Sequence, residues 1–599
     1  MNNKLLPCIE LSHITFTYAE ETQPVLNDLS LSLYENCINV ILGDSGCGKS
    51  TLLSLLSGLI PEFYEGTVQG TMEYHGINLL ELPLAQRSRY FGFLFQNPES
   101  QFCTFTVEDE LAFSLENLGV PPQQMDKTIH HALQLVGMAD ARSKRLDQLS
   151  GGEKQKIALA SVLVCDPPIL LLDEPTANLD AASRAEIFAL LQTLVSVHQK
   201  TIVIIEHNVH HLLPIAQHLV LLHPNGTLAL QGSRDTVLRH LLYDPAFSHL
   251  SPQLSQAHQI VKYWLNRFST LAPVKAYCQR KLNGEGAVFC AEEFLNLWKQ
   301  CSPRLPHSIA SSSTSGGEWE LRANNLGYHY PQTPEHPLFQ GTDFSIQQGD
   351  FVALLGANGT GKSTLLKLLF QALGPYQGSL CLQGKEISQW NTRLLYRQMG
   401  LVFQNPEHQF VCTTVQQELM YSLRNSPLSQ QEKEQTVQQY LKRFSLLEHA
   451  HKNPFSLSQG QKRRLSVAAM LITGQQISFL DEPDYGQDYT NQCNLMQELQ
   501  QLHRQGITLV MITHNMSLVA DYANKILVLS NQHIQPFSCS DELFQNAALL
   551  QKAHLEEPEV YAFSRQLHTL CNQVPLVFSA NALKQFFVDT IAESEEFHD

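Results

Sequence analysis

The chain has 599 residues, 43% of them apolar and 16% charged, and carries a net charge of −17. A chain this long exceeds what one hydrophobic core organises, so several globular domains are expected. The acidic balance argues against nucleic acid or an anionic lipid surface as the main partner. No apolar run approaches the ~18–20 residues of a membrane crossing, and residues 1–8 lack the apolar core of a secretory signal. The thirteen cysteines contain no C-x-x-C pair, which argues against a zinc site or a disulfide framework and fits a reducing cytosol.

Residues 14–31 form a turn-rich, β-branched stretch that reads as antiparallel strands and contains Tyr18. Next comes the apolar run Ile38-Asn39-Val40-Ile41-Leu42, then Gly43-Asp44-Ser45-Gly46-Cys47-Gly48-Lys49-Ser50-Thr51, then Leu52-Leu53-Ser54-Leu55-Leu56. Strand, glycine-rich turn and helix are the context that the phosphate loop G-x-x-x-x-G-K-[ST] needs. Gly43, Ser45, Gly46 and Gly48 let backbone N–H groups curl around an anion. The following helix adds its positive end. Lys49 would reach the β- and γ-phosphates and Ser50 would ligate Mg²⁺, with Thr51 beside it. Cys47 reads as a small filler rather than a redox group.

The same construction returns as Gly356-Ala357-Asn358-Gly359-Thr360-Gly361-Lys362-Ser363-Thr364, at an offset of 313. Gly356, Asn358, Gly359, Gly361, Lys362, Ser363 and Thr364 take the corresponding roles. Other landmarks repeat at an offset of 308. Phe95-Gln96-Asn97-Pro98-Glu99-Ser100-Gln101-Phe102 returns as Phe403-Gln404-Asn405-Pro406-Glu407-His408-Gln409-Phe410, Leu149-Ser150-Gly151-Gly152-Glu153 as Leu457-Ser458-Gln459-Gly460-Gln461, and Leu172-Asp173-Glu174-Pro175 as Leu480-Asp481-Glu482-Pro483. His207 returns as His514 at 307. The change in offset places five extra residues near positions 61–70. Two whole domains are duplicated in tandem. Strands alternating with helices predict an α/β fold with a mainly parallel, doubly covered sheet in each.

Asp173-Glu174 and Asp481-Glu482 close apolar strands at the sheet edge where ligands bind in open α/β folds. The aspartates would hold Mg²⁺, and the glutamates would polarise the water attacking the γ-phosphate. His207 and His514, at strand ends after the acid pairs, read as γ-phosphate sensors. Gln96 and Gln404 either ligate Mg²⁺ or position water through the amide oxygen, or simply begin the Asn-Pro turn. Tyr18 and Tyr330 either stack on adenine or fill the core. Ser150-Gly151-Gly152, opening a helix, forms a second anion-binding tip. With a phosphate loop already present, it suggests that ATP sits between two domains facing head to tail.

These motifs, in this order and twice, resemble the nucleotide-binding domains of ATP-binding cassette (ABC) proteins, over nearly the whole chain. The resemblance implies tandem P-loop NTPase domains, each with an antiparallel β subdomain and a helical signature subdomain, plus helical C-terminal tails. It implies that Lys49 and Glu174 pair with Ser458 and Gly460, and Lys362 and Glu482 with Ser150 and Gly152. Asp180 and Asp488 match the family's D-loop aspartate. Phe-Gln-Asn-Pro-x-x-Gln-Phe in both copies resembles the ATPases of energy-coupling-factor (ECF) importers. These imply a vitamin or transition-metal-ion substrate, an integral membrane coupling protein and a substrate-binding membrane protein as partners, and a place on the cytoplasmic membrane face, with no nucleic acid. Gln459 departs from the signature, and residues 485–487 depart from the D-loop pattern of residues 177–179. Two competent but unequal sites are therefore expected.

The expected organisation is a first ATPase domain (1–233) with a helical tail (234–301), a serine-rich flexible linker (302–317), a second ATPase domain (318–540) and a helical tail (541–599). A competing resemblance is to the soluble ribosome-associated ABC-F ATPases, whose domains are joined by a long charged arm. Residues 240–318 carry only seven Lys/Arg, five Asp/Glu and a serine run, a poor RNA-binding arm. A fused sugar-type importer ATPase is the other rival, and the two Phe-Gln-Asn-Pro segments count against it.

Overall fold

All five residues of strand Ile38–Leu42 are buried, as are all five of Ile169–Asp173, Thr201–Ile205 and His218–Leu222. Cover on both faces is why these segments are continuous apolar runs rather than alternating ones. They form a six-stranded sheet in the order Leu228–Ser233, His218–Leu222, Ile38–Leu42, Thr201–Ile205, Ile169–Asp173, Phe91–Leu94. Every neighbouring pair is parallel except the first. The one polar residue at its centre, Asn39, donates to the carbonyls of Tyr34 and Ile202 at 2.9 and 3.3 Å and accepts from the Tyr34 N–H at 2.9 Å. Both ends of the buried amide are thereby satisfied.

This computed structural model describes residues 6–19, 21–176, 179, 181–206, 209–247, 254–301, 320–331, 335, 337–484 and 489–595. The sheet recurs in the second copy in the same order: His533–Phe537, Lys525–Ser530, Phe351–Leu355, Thr508–Ile512, Ile477–Asp481, Met399–Val402. Each copy also has a four-stranded antiparallel sheet, Leu26–Tyr34, Pro7–Tyr18, Gly66–Tyr74, Ile77–Asn78 in the first and Phe339–Gln347, Glu320–Tyr328, Gln377–Leu382, Lys385–Glu386 in the second. The extra residues of the first copy hold a short helical turn, Leu59–Glu62, followed by exposed Phe63 and Tyr64.

Helices Val107–Asn117 and Pro122–Leu135 pack against Gly151–Leu163, and Val415–Ser422 and Gln430–Arg443 stand with Gln459–Leu471 in the second copy. Thr106 and Thr414 cap the first helix of each group by accepting from the N–H of Asp109 and Gln417.

The chain divides into two compact units, Met1–Cys290 and Ala291–Asp599. The first ends in helices Arg234–Tyr243, Gln256–Arg267 and Ala272–Leu282. Helix Ala291–Cys301 falls in the second unit, against Glu559–Leu570 and Ala580–Glu595. There Phe294 and Trp298 meet the Phe587 ring edge-on at 5.3 and 5.4 Å. The linker expected at 302–317 lies outside the described residues. No helix among the described residues is long and apolar enough to cross a membrane.

Candidate nucleotide sites

The phosphate loops curl back against a neighbouring strand, and only glycine fits where they do. A Cβ on Gly356 (φ 149°) would lie 2.5 Å from the Leu529 carbonyl oxygen, and one on Gly43 (φ 154°) would lie 2.5 Å from Cys47 Sγ and 3.1 Å from the Leu222 carbonyl oxygen. Cys47 is buried and burial raises its thiol pKa, so it is an inert filler. Lys49 and Lys362 open the helices that follow. Lys49 Nζ donates to the carbonyls of Gly43 and Asp44 at 2.8 and 2.9 Å, and Lys362 Nζ to those of Gly356 and Ala357 at 2.7 and 2.9 Å. Each ammonium is thus fixed at the centre of its loop. Around it, Gly46 and Gly359 are exposed, Ser45 and Asn358 half-buried, and the metal-ligand candidates Ser50 and Ser363 exposed. Thr51 and Thr364 face inward and pair with the hydroxyls of Tyr18 and Tyr330 at 3.1 and 3.0 Å. Both tyrosines are therefore tied to the phosphate-loop helix, beside the site.

The acid pairs complete the floor. Asp173 and Asp481 end their strands, and Glu174 and Glu482 begin the turns with φ 48°. That left-handed conformation is uncommon for a glutamate and marks strained backbone of the kind found at functional sites. Nothing in the sequence signals it. The Gln96 amide donates to Glu174 at 2.7 Å and the Gln404 amide to Glu482 at 2.8 Å. His514 Nε2 lies 3.4 Å from the Glu482 carboxylate. Burial works to raise the Glu482 pKa, but His514, Gln404 and Lys362 together outweigh it and hold the carboxyl below its usual range. Asp481 goes the other way: burial, reinforced by Glu482, pushes it up to about 6.

Serine hydroxyl, carboxylate and amide oxygen form an all-oxygen donor set of the kind Mg²⁺ prefers. The buried Asp481 carboxyl, whose charged form desolvation and Glu482 disfavour, fits a cation that would restore that charged form. Ser50, Asp173 and Gln96, and Ser363, Asp481 and Gln404, would hold it with the nucleotide. When bound, Mg²⁺ neutralises charge developing on the phosphates. Among the described residues no group of three His, Cys, Asp or Glu side chains forms a metal site alone.

The signature tips are built alike in both copies. Ser150 accepts from the Glu153 N–H while the Glu153 carboxylate accepts from the Ser150 N–H; Ser458 and Gln461 repeat the arrangement. A Cβ on Gly151 would meet nothing within 4 Å, so this place in the first copy's tip does not itself demand glycine. Gly152 and Gly460 follow in the same first helical turn. The tips differ in charge: the Ser150 N–H holds Glu153 ionised, below the usual range, whereas Gln461 is neutral.

Two further contacts were not legible in sequence. Gln101 donates to the Ala158 carbonyl and Ser161, and Gln409 to the Ser466 carbonyl, so these glutamines turn inward and tie the Gln segment to the signature helix. In the second copy Arg463, also on that helix, donates to the carbonyls of Phe403 and Gln404. Buried Gln155 occupies its place in the first copy. Aligning the two copies shows the exchange of Gln155 for Arg463, but not its partners. His207, Asp180 and Asp488 lie outside the described residues.

The ABC transporter family profile matches residues 26–177 and 339–485. The Bacillus subtilis protein YkoD, named as an HMP/thiamine import ATP-binding protein, is 34% identical over 92% of this chain and 95% of its own length. An ABC transporter ATP-binding protein of Caldanaerobacter subterraneus is 30% identical over 93% of this chain and 96% of its own. The solved structure of cbiO1 from Clostridium perfringens, described as part of the ABC transporter complex cbiONQ, is 26% identical over 41% of this chain and 98% of its own, with a TM-score of 0.35. The two phosphate loops, each with its acid pair and serine-capped signature helix, belong to the ABC transporter ATP-binding proteins, and this chain is an ATPase of that family with two ABC domains.

Proposed function

We propose that the chain is the energy-coupling ATPase of an ECF-type importer for a vitamin or a transition-metal ion. The observation that carries the reading is its similarity, over nearly the full length of both chains, to a protein named for HMP/thiamine import, supported by Phe-Gln-Asn-Pro-x-x-Gln-Phe in both copies. Two ATP molecules bind head to tail between the halves. Lys49 and Glu174 act with Ser458 and Gly460 on one, and Lys362 and Glu482 with Ser150 and Gly152 on the other. Glu174 and Glu482 orient the attacking water, and His207 and His514 sense the γ-phosphate. ATP closes the halves, and loss of the bridging γ-phosphate lets them open. Fusion makes closure intramolecular.

The partners are an integral membrane coupling protein and a substrate-binding membrane protein, with the chain held on the cytoplasmic face. Next to the Gln segments each helical subdomain exposes apolar side chains: Phe105 (76%) and Phe113 (40%) in one, Val411 (66%) and Tyr421 (43%) in the other. Those surfaces suit an apolar partner helix. The test is affinity purification of the full chain from its native membranes, followed by uptake of labelled thiamine precursor or metal ion by the recovered complex in vesicles. Recovery of an integral membrane protein with ATP-dependent uptake supports the reading. Recovery with ribosomes and no membrane protein contradicts it.

A further inference from the structure

Two positions beside each catalytic acid have exchanged residues between the copies while keeping one bond. The second residue after the glutamate is Thr176 in the first copy and Asp484 in the second. The residue before the histidine is Glu206 in the first and Thr513 in the second. Thr176 Oγ1 donates to the Glu206 carboxylate at 2.7 Å, and Thr513 Oγ1 donates to the Asp484 carboxylate at 3.0 Å. Hydroxyl and acid have traded places. Changing either position alone would have set two carboxylates or two hydroxyls face to face. What the copies share is the hydroxyl–carboxylate bond, not either residue.

The bond lies where it controls geometry. The N–H of Glu174 bonds the Ile205 carbonyl at 3.0 Å and that of Glu482 the Ile512 carbonyl at 2.9 Å. The side-chain pair is the next link between the acid-bearing turn and the strand end that leads to the histidine. The glutamate at φ 48° stands between the two links, and such conformations persist only when their surroundings over-determine them. In the second copy Thr513 Oγ1 also accepts from the Asn515 N–H at 3.0 Å. His514 is thereby bracketed by a residue that grips both the acid turn and the chain beyond it. Thr176, Glu206 and Thr513 are all buried, so a broken bond would leave an unsatisfied polar group with no water to replace its partner.

We propose that Thr176–Glu206 and Asp484–Thr513 are interchangeable positioning pairs that set the register between the glutamate and the histidine during ATP hydrolysis. The proposal rests on the reading of Glu174 and Glu482 as the acids that orient water.

The test is steady-state ATP hydrolysis by the full-length Glu174→Gln chain, in which turnover at the Glu482 site is read, further carrying Thr513→Val, Asp484→Thr, Thr513→Glu, or the double exchange Asp484→Thr/Thr513→Glu that rebuilds the first-copy pair. Each single change is expected to lower kcat about 10-fold or more with KM for ATP within about 2-fold, and the double exchange to recover kcat to within about 3-fold of the parent. A merely structural role would lower the melting temperature without that kcat-against-KM split. Singles that leave kcat unchanged, or a double exchange no better than its worse single, overturn the proposal. If the singles fail to fold, Thr513→Ala, which removes the donor without adding bulk, is measured instead: a fall in kcat at unchanged melting temperature supports the pair, and parental kcat contradicts it. Glu482→Gln is run alongside. Full activity in that variant removes the reading of the acids, whereas its loss beside unaffected singles removes only the pairs.

Discussion

The Gln404 amide nitrogen lies 2.8 Å from the Glu482 carboxylate, and Gln96 stands in the same relation to Glu174 at 2.7 Å. In both copies the Gln segment, which reaches the signature helix through Gln409 or Gln101, also grips the acid that faces the phosphate loop. Helix, segment and acid are thereby linked in each copy through two glutamine side chains of one segment.

Replacing Glu174 and Glu482 together by glutamine keeps their size and removes their basicity. The account expects kcat for ATP hydrolysis to fall by about 10²–10⁴, the usual contribution of a general base, with nucleotide binding retained. Replacing Gln96 and Gln404 together by alanine removes an orienting bond at each acid rather than the base and should cost about 10-fold. Phosphate release and fluorescent-nucleotide titration measure both.

The two phosphate-loop glycines should differ in their tolerance of alanine. At Gly356 the added methyl meets the Leu529 carbonyl at 2.5 Å, a backbone atom of the central sheet that has nowhere to go. At Gly43 the nearest atom is a side-chain sulfur, with the Leu222 carbonyl less severely crowded at 3.1 Å. Gly356→Ala is expected to weaken ATP binding more than Gly43→Ala does. Cys47→Ala should restore part of the loss at Gly43, read by nucleotide titration of the two-residue variant.

His218 begins a core strand, 2% exposed, with neither ring nitrogen hydrogen-bonded among the described residues, and burial lowers its pKa to about 4. The folded state therefore binds fewer protons than the unfolded one between about pH 6.5 and 4. Stability falls as pH falls through that window, by about 2 kcal/mol at pH 5 relative to neutral pH. His218→Phe should flatten this loss, seen as a smaller drop in the melting temperature of the first unit between pH 7 and 5. Equal drops in both chains would show that the imidazole is not held neutral. At the corresponding place the second copy carries Lys525, paired with Asp350 at 3.5 Å.

Glu153 puts a negative charge on the first signature tip where the second carries neutral Gln461. If that tip grips a triphosphate, Glu153→Gln should lower KM for ATP about 2- to 5-fold, the worth of one charge at a helix end. Gln461→Glu should raise KM by a similar factor.

The duplicated domains, the phosphate loops and the acid pairs were legible in the sequence because their chemistry requires fixed residue types at fixed spacing. The buried strands were legible because cover on both faces removes alternation. Gln101 and Gln409 are read only in part. Their segment was plain, but their inward direction depends on the signature helix lying across from it. The same holds for Arg463, whose acceptors are main-chain carbonyls and leave no residue pattern. Helix Ala291–Cys301 precedes the serine-rich stretch and so reads as part of the first tail. Its apolar face, with Phe294 and Trp298, instead packs within the second unit. The φ 48° of both glutamates is a backbone property that no side-chain spacing encodes.

Under the proposed function each ATP is held between a lysine loop and the opposite half's serine-capped helix. The most direct measurement is the structure of the full-length Glu174→Gln/Glu482→Gln chain with ATP and Mg²⁺. The account predicts two nucleotides, one touching Lys49 and Ser458 and the other Lys362 and Ser150. Nucleotides that each touch residues of one half alone would contradict it.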